Sequence, residues 1–138
     1  RMGADVRVDS SRQDPVKAVR EATEGIGADV VMEMSGAPAA VQQALAAVRN
    51  GGEVRLLGIP SGAVPIELAR DVIFKGISVH GVIGRRMYET WYQMRSYLRA
   101  GRIDVRPVIT HTMPYTEMDA AFAAMTEGTA GKAVLRFA

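Results

Sequence analysis

Gly84-Arg85-Arg86-Met87-Tyr88-Glu89-Thr90-Trp91 joins an apolar run, Ile77 to Ile83, to a segment with helical spacing. Ligands of open α/β sheets bind just outside the carboxyl ends of the strands, so a strand-to-helix junction is where chemistry is expected. A glycine there lets the backbone approach a flat ring, and the neighbouring Arg85 can grip a small carboxylate or phosphate with two parallel hydrogen bonds. The chain has two histidines, His80 and His111. Neither has a carboxylate or thiol at ligand spacing, and zinc needs three or four converging groups, so both are read as structural.

Strand and helix signals alternate at lengths suited to βαβ units. Val6 and Val8 lie in a short extended segment ending at Asp9, and Asp14-Pro15 reads as an N-cap followed by proline at the first helical position. Val16 and Val19 share one face of a helix that stops at Gly25-Ile26-Gly27. Ala28 to Met34 is mostly apolar without alternation, the pattern of a strand covered on both faces. Ser35-Gly36-Ala37-Pro38 turns the chain into a second helix, where Val41, Ala44, Leu45 and Val48 form one apolar stripe and Asn50-Gly51-Gly52 ends it. Val54 to Leu57 makes the next strand, closed by Gly58-Ile59-Pro60-Ser61-Gly62.

A helical or irregular connector carrying Ile66, Leu68, Val72, Ile73 and Phe74 leads to a buried strand, Ile77 to Ile83. Trp91, Met94 and Leu98 mark the buried face of a third helix, which Gly101 terminates. Trp91, Tyr92 and Tyr97 read as packing anchors, because no basic groove accompanies them. Beyond Pro107 the segment Val108 to His111 is extended, and Thr116-Glu117-Met118-Asp119 resembles a capping box. Met118, Ala121, Phe122 and Met125 supply the stripe of a last helix, and Lys132 to Phe137 makes a closing strand.

Strands each followed by a helix imply an α/β fold with a parallel sheet. The strand ends at Ser35-Gly36, Gly58-Ile59-Pro60 and Gly84-Arg85 then line one rim, the expected binding edge; glycine and proline there also serve simply to punctuate loops. Two glycine-rich stretches are set aside. Gly25-Ile26-Gly27 lacks the third glycine of a dinucleotide fingerprint, since position 30 is Val30, and like Gly128-Thr129-Ala130-Gly131-Lys132 it leaves a helix to enter a strand. Both are read as helix caps.

The 138 residues, 48% of them apolar, suit one domain or a piece of a larger protein. Seventeen basic side chains nearly balance 15 acidic ones, with no basic run longer than Arg85-Arg86, which argues against nucleic acid as a partner. The absence of cysteine excludes disulfides and thiolate metal sites and fits a reducing compartment. No apolar run reaches the roughly 18 residues of a membrane span, and the first residues carry no export signal. A cytoplasmic protein, with neither membrane nor nucleic acid among its partners, is expected.

The segments Glu33-Met34-Ser35-Gly36-Ala37-Pro38, Leu57-Gly58-Ile59-Pro60, Val72-Ile73-Phe74-Lys75-Gly76, Gly84 to Tyr92 and Ile109-Thr110-His111 resemble, in order and spacing, the zinc-containing medium-chain dehydrogenase/reductase superfamily. The Gly-Arg-x-Met-[Phe or Tyr]-Glu-Thr-Trp run at 84–91 resembles its L-threonine 3-dehydrogenase family in particular, and the resemblance spans essentially the whole chain. It implies a partial Rossmann-type parallel sheet, the third to sixth strands, within residues 1–107 as the C-terminal part of an NAD-binding domain. Residues 108–138 would be the C-terminal return segment of a GroES-like catalytic domain. The glycine fingerprint, the ribose-binding acid, the ligands of catalytic and structural zinc and the proton-relay histidine, all expected upstream, are missing.

By resemblance Leu57, Gly58 and Ile59 contact the nicotinamide half of NAD, Val82 and Ile83 offer backbone groups to its carboxamide, and Ser35 and Gly36 lie on the same cofactor rim. Leu57 and Val82 are equally what a buried strand requires. Arg85 is the candidate partner of an amino-acid carboxylate, against the alternative of a surface or interface arginine. Glu89 is expected to cap the next helix or to pair with Arg86. The implied reaction is oxidation of the 3-hydroxyl of L-threonine to 2-amino-3-oxobutanoate by an NAD- and zinc-dependent homo-oligomer, a tetramer. This chain alone holds no catalytic residue and is expected to be inactive. Alternatives are another zinc-dependent polyol or alcohol dehydrogenase, or a non-catalytic nucleotide-binding or oligomerisation module.

One structural difficulty follows. In the Rossmann order 3-2-1-4-5-6 the third strand pairs with the second, so a chain lacking the first two strands strands Val6-Arg7-Val8 without a partner. Unpaired edges and exposed apolar surface are therefore expected around the first and last strands.

Overall fold

Asp14 does what its position before Pro15 implies. Its Oδ1 accepts from the backbone N–H groups of Val16 at 2.8 Å and Lys17 at 3.3 Å, starting α1 (Pro15–Ala22). The computed structural model describes residues 3–137. They fall into two units, residues 5–84 and residues 85–137 together with 3–4.

In the first unit α1 is followed by β1 (Ala28–Glu33), α2 (Pro38–Ala47), β2 (Val48–Leu56), a single π-helical turn at Ala69–Ile73 and β3 (Ser78–Gly81). The sheet has the order β1-β2-β3 and all its pairs are parallel. Val31, Val54 and Val79 share one register row, as do Glu33, Leu56 and Gly81; Met32, Arg55 and His80 form the row between them. Because side chains alternate across a strand, the first two rows face one side and the third faces the other.

The core lies on the first side. Ala44 and Leu45 of α2 pack with Val48, Val54 and Ile77, flanked by Val31, Leu56 and Val72. Val48 and Val54 are fully buried, each contributing about 1.5–3 kcal/mol of burial. α2 has no basic residue in its last turn. Its final carbonyls are instead met from elsewhere, by Lys75 Nζ on Leu45 O at 2.6 Å and by an Arg20 guanidinium N–H on Ala46 O at 3.1 Å. Burial pushes the Lys75 ammonium below its ordinary pKa, which marks how far this group is withdrawn from water.

Four expectations are corrected here. Val6 to Val8 forms no strand, and Val6 is exposed; with no neighbouring strand, its backbone gains nothing from an extended partner. β1 is not covered on both faces, because Val30 and Met32 point to the side that no helix of this unit covers and are exposed. Asn50-Gly51-Gly52 does not end α2, which stops at Ala47. β2 starts at Val48 and runs through both glycines, with a register shift opposite Ala28–Val30. Finally, the strand expected over Ile77 to Ile83 is a four-residue edge strand, all of whose residues are exposed, while Ile77 before it is buried and Ile83 beyond it is 94% exposed.

The second unit contains α3 (Glu89–Arg99), a short 3-10 turn at Arg106–Val108, β4 (His111–Pro114), a second 3-10 turn at Tyr115–Glu117, α4 (Met118–Thr126) and β5 (Ala133–Arg136). β4 and β5 pair in parallel as a two-stranded sheet. The closing strand thus has one partner and one unpaired edge among the described residues, and Phe137 just past it is 76% exposed and stacks on Tyr115 at 5.1 Å. Met118, Phe122 and Met125 of α4 are exposed and only Ala121 is buried. The expected buried face of α3 is likewise exposed at Trp91, Met94 and Leu98. The capping box does not form: α4 starts from Glu117, with no side-chain cap, because the preceding 3-10 turn has already used Thr116 and Glu117 as helical residues.

Candidate functional site

The parallel register puts the strand ends side by side. Glu33, Leu56 and Gly81 share a row, so the residues just beyond them, Ser35-Gly36, Leu57-Gly58-Ile59 and Val82-Ile83, leave the sheet along one rim. Backbone hydrogen bonds continue past the strand ends: Leu57 N and Gly58 N donate to Glu33 O at 2.9 and 3.3 Å, and Val82 N donates to Leu56 O at 2.8 Å. The sequence-predicted cofactor residues of all three loops are therefore brought together. Leu57, Ile59, Val82 and Ile83 are exposed on this rim, an apolar surface of the kind that ring-binding clefts use.

Two glycines make the rim close. Gly36 has φ +72° and a Cβ there would meet Ile59 O at 2.6 Å, while a Cβ on Gly58 would overlap the backbone of Gly36. A side chain at either position would push the first loop away from the second, and the left-handed backbone of Gly36 disfavours one in any case.

Glu33 went unnoticed in the sequence as a site residue. It is the one charged side chain among the buried described residues, 4% exposed. Its Oε1 accepts from Ser35 N at 2.8 Å, Ser35 Oγ at 2.6 Å and Gly36 N at 2.9 Å, while Oε2 takes a longer bond from Gly36 N at 3.2 Å. The Ser35 hydroxyl bond holds this carboxyl below the ordinary carboxylate range despite the opposing cost of burial, with the Ser35 and Gly36 amides assisting. The available signal was an acid ending an apolar strand two residues before a serine, since a charge in that place needs local donors.

Arg85 opens the second unit. Its guanidinium sits over the Trp91 ring, 5.5 Å from the centroid, and Trp91 also meets Tyr88 edge to face at 6.4 Å. Stacking leaves the guanidinium edge and its N–H donors available. No carboxylate among the described residues forms an ion pair with it; Glu89 is taken by Arg86 at 3.2 Å, as expected. Trp91 anchors this local cluster while remaining half exposed.

Gly25 to Gly27 and Gly128 to Lys132 both follow helices and lead into β1 and β5, as helix caps do. Among the described residues, no three histidine, aspartate or glutamate side chains converge to hold a metal ion.

The model of the zinc-binding dehydrogenase family matches residues 1–100. The chain belongs to the zinc-binding dehydrogenase family. Within this family it is 50% identical over 135 residues to an L-threonine 3-dehydrogenase of Symbiobacterium thermophilum, covering 97% of this chain and 38% of that protein. It is 43% identical over 136 residues to the L-threonine 3-dehydrogenase of Caldanaerobacter subterraneus subsp. tengcongensis, covering 98% and 39%. Among solved structures it resembles the alcohol dehydrogenase TADH of Thermus sp. ATN1, with a TM-score of 0.90 and 25% identity over 99% of this chain and 39% of that one. The chain thus spans less than two fifths of the relatives it matches. Its α/β architecture is a partial Rossmann-type fold. The described residues do not supply a ligand set for the zinc of the family name.

Proposed function

We propose that this chain is the C-terminal part of an NAD- and zinc-dependent L-threonine 3-dehydrogenase, which oxidises the 3-hydroxyl of L-threonine to 2-amino-3-oxobutanoate. The observation that carries the reading is the shared rim of Ser35-Gly36, Leu57-Gly58-Ile59 and Val82-Ile83. NAD, when bound, supplies the hydride acceptor. Toward it, Leu57 and Ile59 would offer apolar walls, Gly58 lets the Ser35-Gly36 loop close against the strand end, and backbone groups of Val82 and Ile83 would hold the carboxamide. Arg85 pairs with the carboxylate that separates an amino acid from a simple alcohol, and Trp91 orients its guanidinium plane.

Residues 1–107 then belong to the cofactor domain and 108–138 to the catalytic domain, with the zinc ligands and proton relay supplied by the rest of the protein. The free outer edge of β1 among the described residues supports a further strand beside it, and the exposed Val30 and Met32 support further elements packed over that face. The complete enzyme is read as a cytoplasmic homotetramer, on family resemblance, and this piece as inactive alone. No described helix is long and apolar enough to cross a membrane.

The test is to express the complete reading frame and follow NADH formation with L-threonine, butanediol, sorbitol and ethanol as separate substrates. Preference for threonine supports the reading. Preference for a polyol or simple alcohol transfers it to a sister dehydrogenase, and the absence of NADH formation and of NAD binding overturns it in favour of a non-catalytic module.

A further inference from the structure

Ser35 and Gly36 could only form an ordered ledge beside Gly58 if something held them there, since the loop is short of packing: Met34 before it is exposed and Ala37 after it opens α2 without a side-chain cap. The tie is Glu33. Its backbone oxygen receives Leu57 N and Gly58 N, while its carboxylate receives Ser35 N, Ser35 Oγ and Gly36 N. One residue therefore joins the ends of two strands, and Gly36 and Gly58 are packed so closely against it that a Cβ on Gly58 would lie 2.5 Å from Glu33 Oε2.

We propose that Glu33 is a positioning residue for the cofactor: its buried carboxylate clamps the Ser35-Gly36 loop onto the Leu57-Gly58 strand end, so that the rim meets the nicotinamide end of NAD already formed. The inference rests on the cofactor reading given above. It goes further in assigning affinity to a residue that faces away from the ligand and acts through the backbone it orders. Binding to a pre-formed ledge avoids the ordering cost that a loose loop would incur on each cofactor encounter. The anion suits the task because three donors converge on it, and charge-assisted hydrogen bonds are the stronger and shorter kind. An amide in its place keeps the volume and one acceptor oxygen but loses the charge, and its N–H₂ takes the place of Oε2 against Gly36 N, itself a donor.

The experiment uses the complete protein with Glu33→Gln and, as a milder change, Ser35→Ala, which removes the hydroxyl that donates to Glu33 at 2.6 Å and accepts from Ala37 N at 3.1 Å. NADH affinity is read by fluorescence titration, hydrogen exchange is read at Ser35, Gly36, Leu57 and Gly58 without cofactor, and KM for NAD is separated from kcat. Expected for Glu33→Gln are roughly tenfold weaker NADH binding and a matching rise in the KM for NAD, with kcat at saturating NAD changed by less than about threefold. Amide exchange at the four positions should quicken, and Ser35→Ala should move every readout in the same direction by less. If Glu33→Gln yields no folded protein, Ser35→Ala decides the matter by the same readouts. A wild type that binds NADH beside folded variants that bind it equally well overturns the clamp alone. A wild type that binds no NADH overturns the dehydrogenase reading and the clamp's cofactor role with it.

Discussion

Gly58 presses against Gly36 at the head of the sheet so closely that a methyl group on Gly58 would fall on the Gly36 backbone, and one on Gly36 would meet the backbone of Ile59. Gly58→Ala should therefore cost about 1–3 kcal/mol of stability through overpacking. It should also weaken NADH binding in the complete protein, because the relief of the clash separates two loops of the rim. Thermal unfolding and NADH titration of the same preparation check both. Gly36→Ala should be the worse of the two, adding about 1–2 kcal/mol for a left-handed backbone at φ +72°.

Acid should loosen the rim through Glu33. Its folded pKa lies below the ordinary 4.5, so the unfolded chain takes up this proton at higher pH than the folded one. The stability it contributes is fully present above that ordinary value, and it is lost as pH falls through the folded pKa. The difference in stability between wild type and Glu33→Gln should be greatest near neutrality and shrink below 4.5, as measured by urea unfolding at a series of pH values.

Arg85→Ala should raise the KM for L-threonine by about 10–100-fold, the worth of a charged hydrogen-bonded pair, and leave the KM for NAD unchanged. Arg85→Lys should recover only part of the loss, since an ammonium cannot reproduce the two parallel bonds. Trp91→Leu should have a smaller effect of the same sign by freeing the guanidinium that stacks at 5.5 Å. Steady-state kinetics with each substrate varied in turn distinguishes these outcomes, and an unchanged threonine KM in Arg85→Ala removes the carboxylate role.

The apolar residues of the first unit should divide sharply by burial. Leu45→Ala, at 3% exposure, should cost about 2–5 kcal/mol, because it opens a cavity between α2 and the sheet. Ile83→Ala, at 94% exposure, should change stability by less than about 0.5 kcal/mol. Denaturant midpoints for the two variants make the comparison.

Local signals were legible where the chain decides its structure within a few residues. Asp14-Pro15 started α1 as expected, the apolar runs marked β1 and β2, and glycine-containing loops followed the three strands of the first unit. Burial was legible only in part: the stripe of Val41, Ala44, Leu45 and Val48 is buried as its spacing implied. The apolar runs at Val30, Met32, Ile83, Trp91 and Leu98 carry a pattern shaped for partners on both sides, yet here they meet water. A hydrophobic pattern states what a residue is suited to contact and is silent on whether that contact lies within the same stretch of chain.

From the order of its residues alone, the chain determined the alternation of strands and helices, the loops that end the strands, and the Gly84 to Trp91 run with its candidate arginine. Those follow from backbone preferences and spacing, which act over a turn or two. Only the tertiary structure decided the register that sets Glu33, Leu56 and Gly81 in one row, how closely Gly36 and Gly58 approach, and that Glu33 ties two strand ends together. Parallel register and the convergence of donors on a buried charge are relations between segments distant in sequence. They come into being when the segments pack.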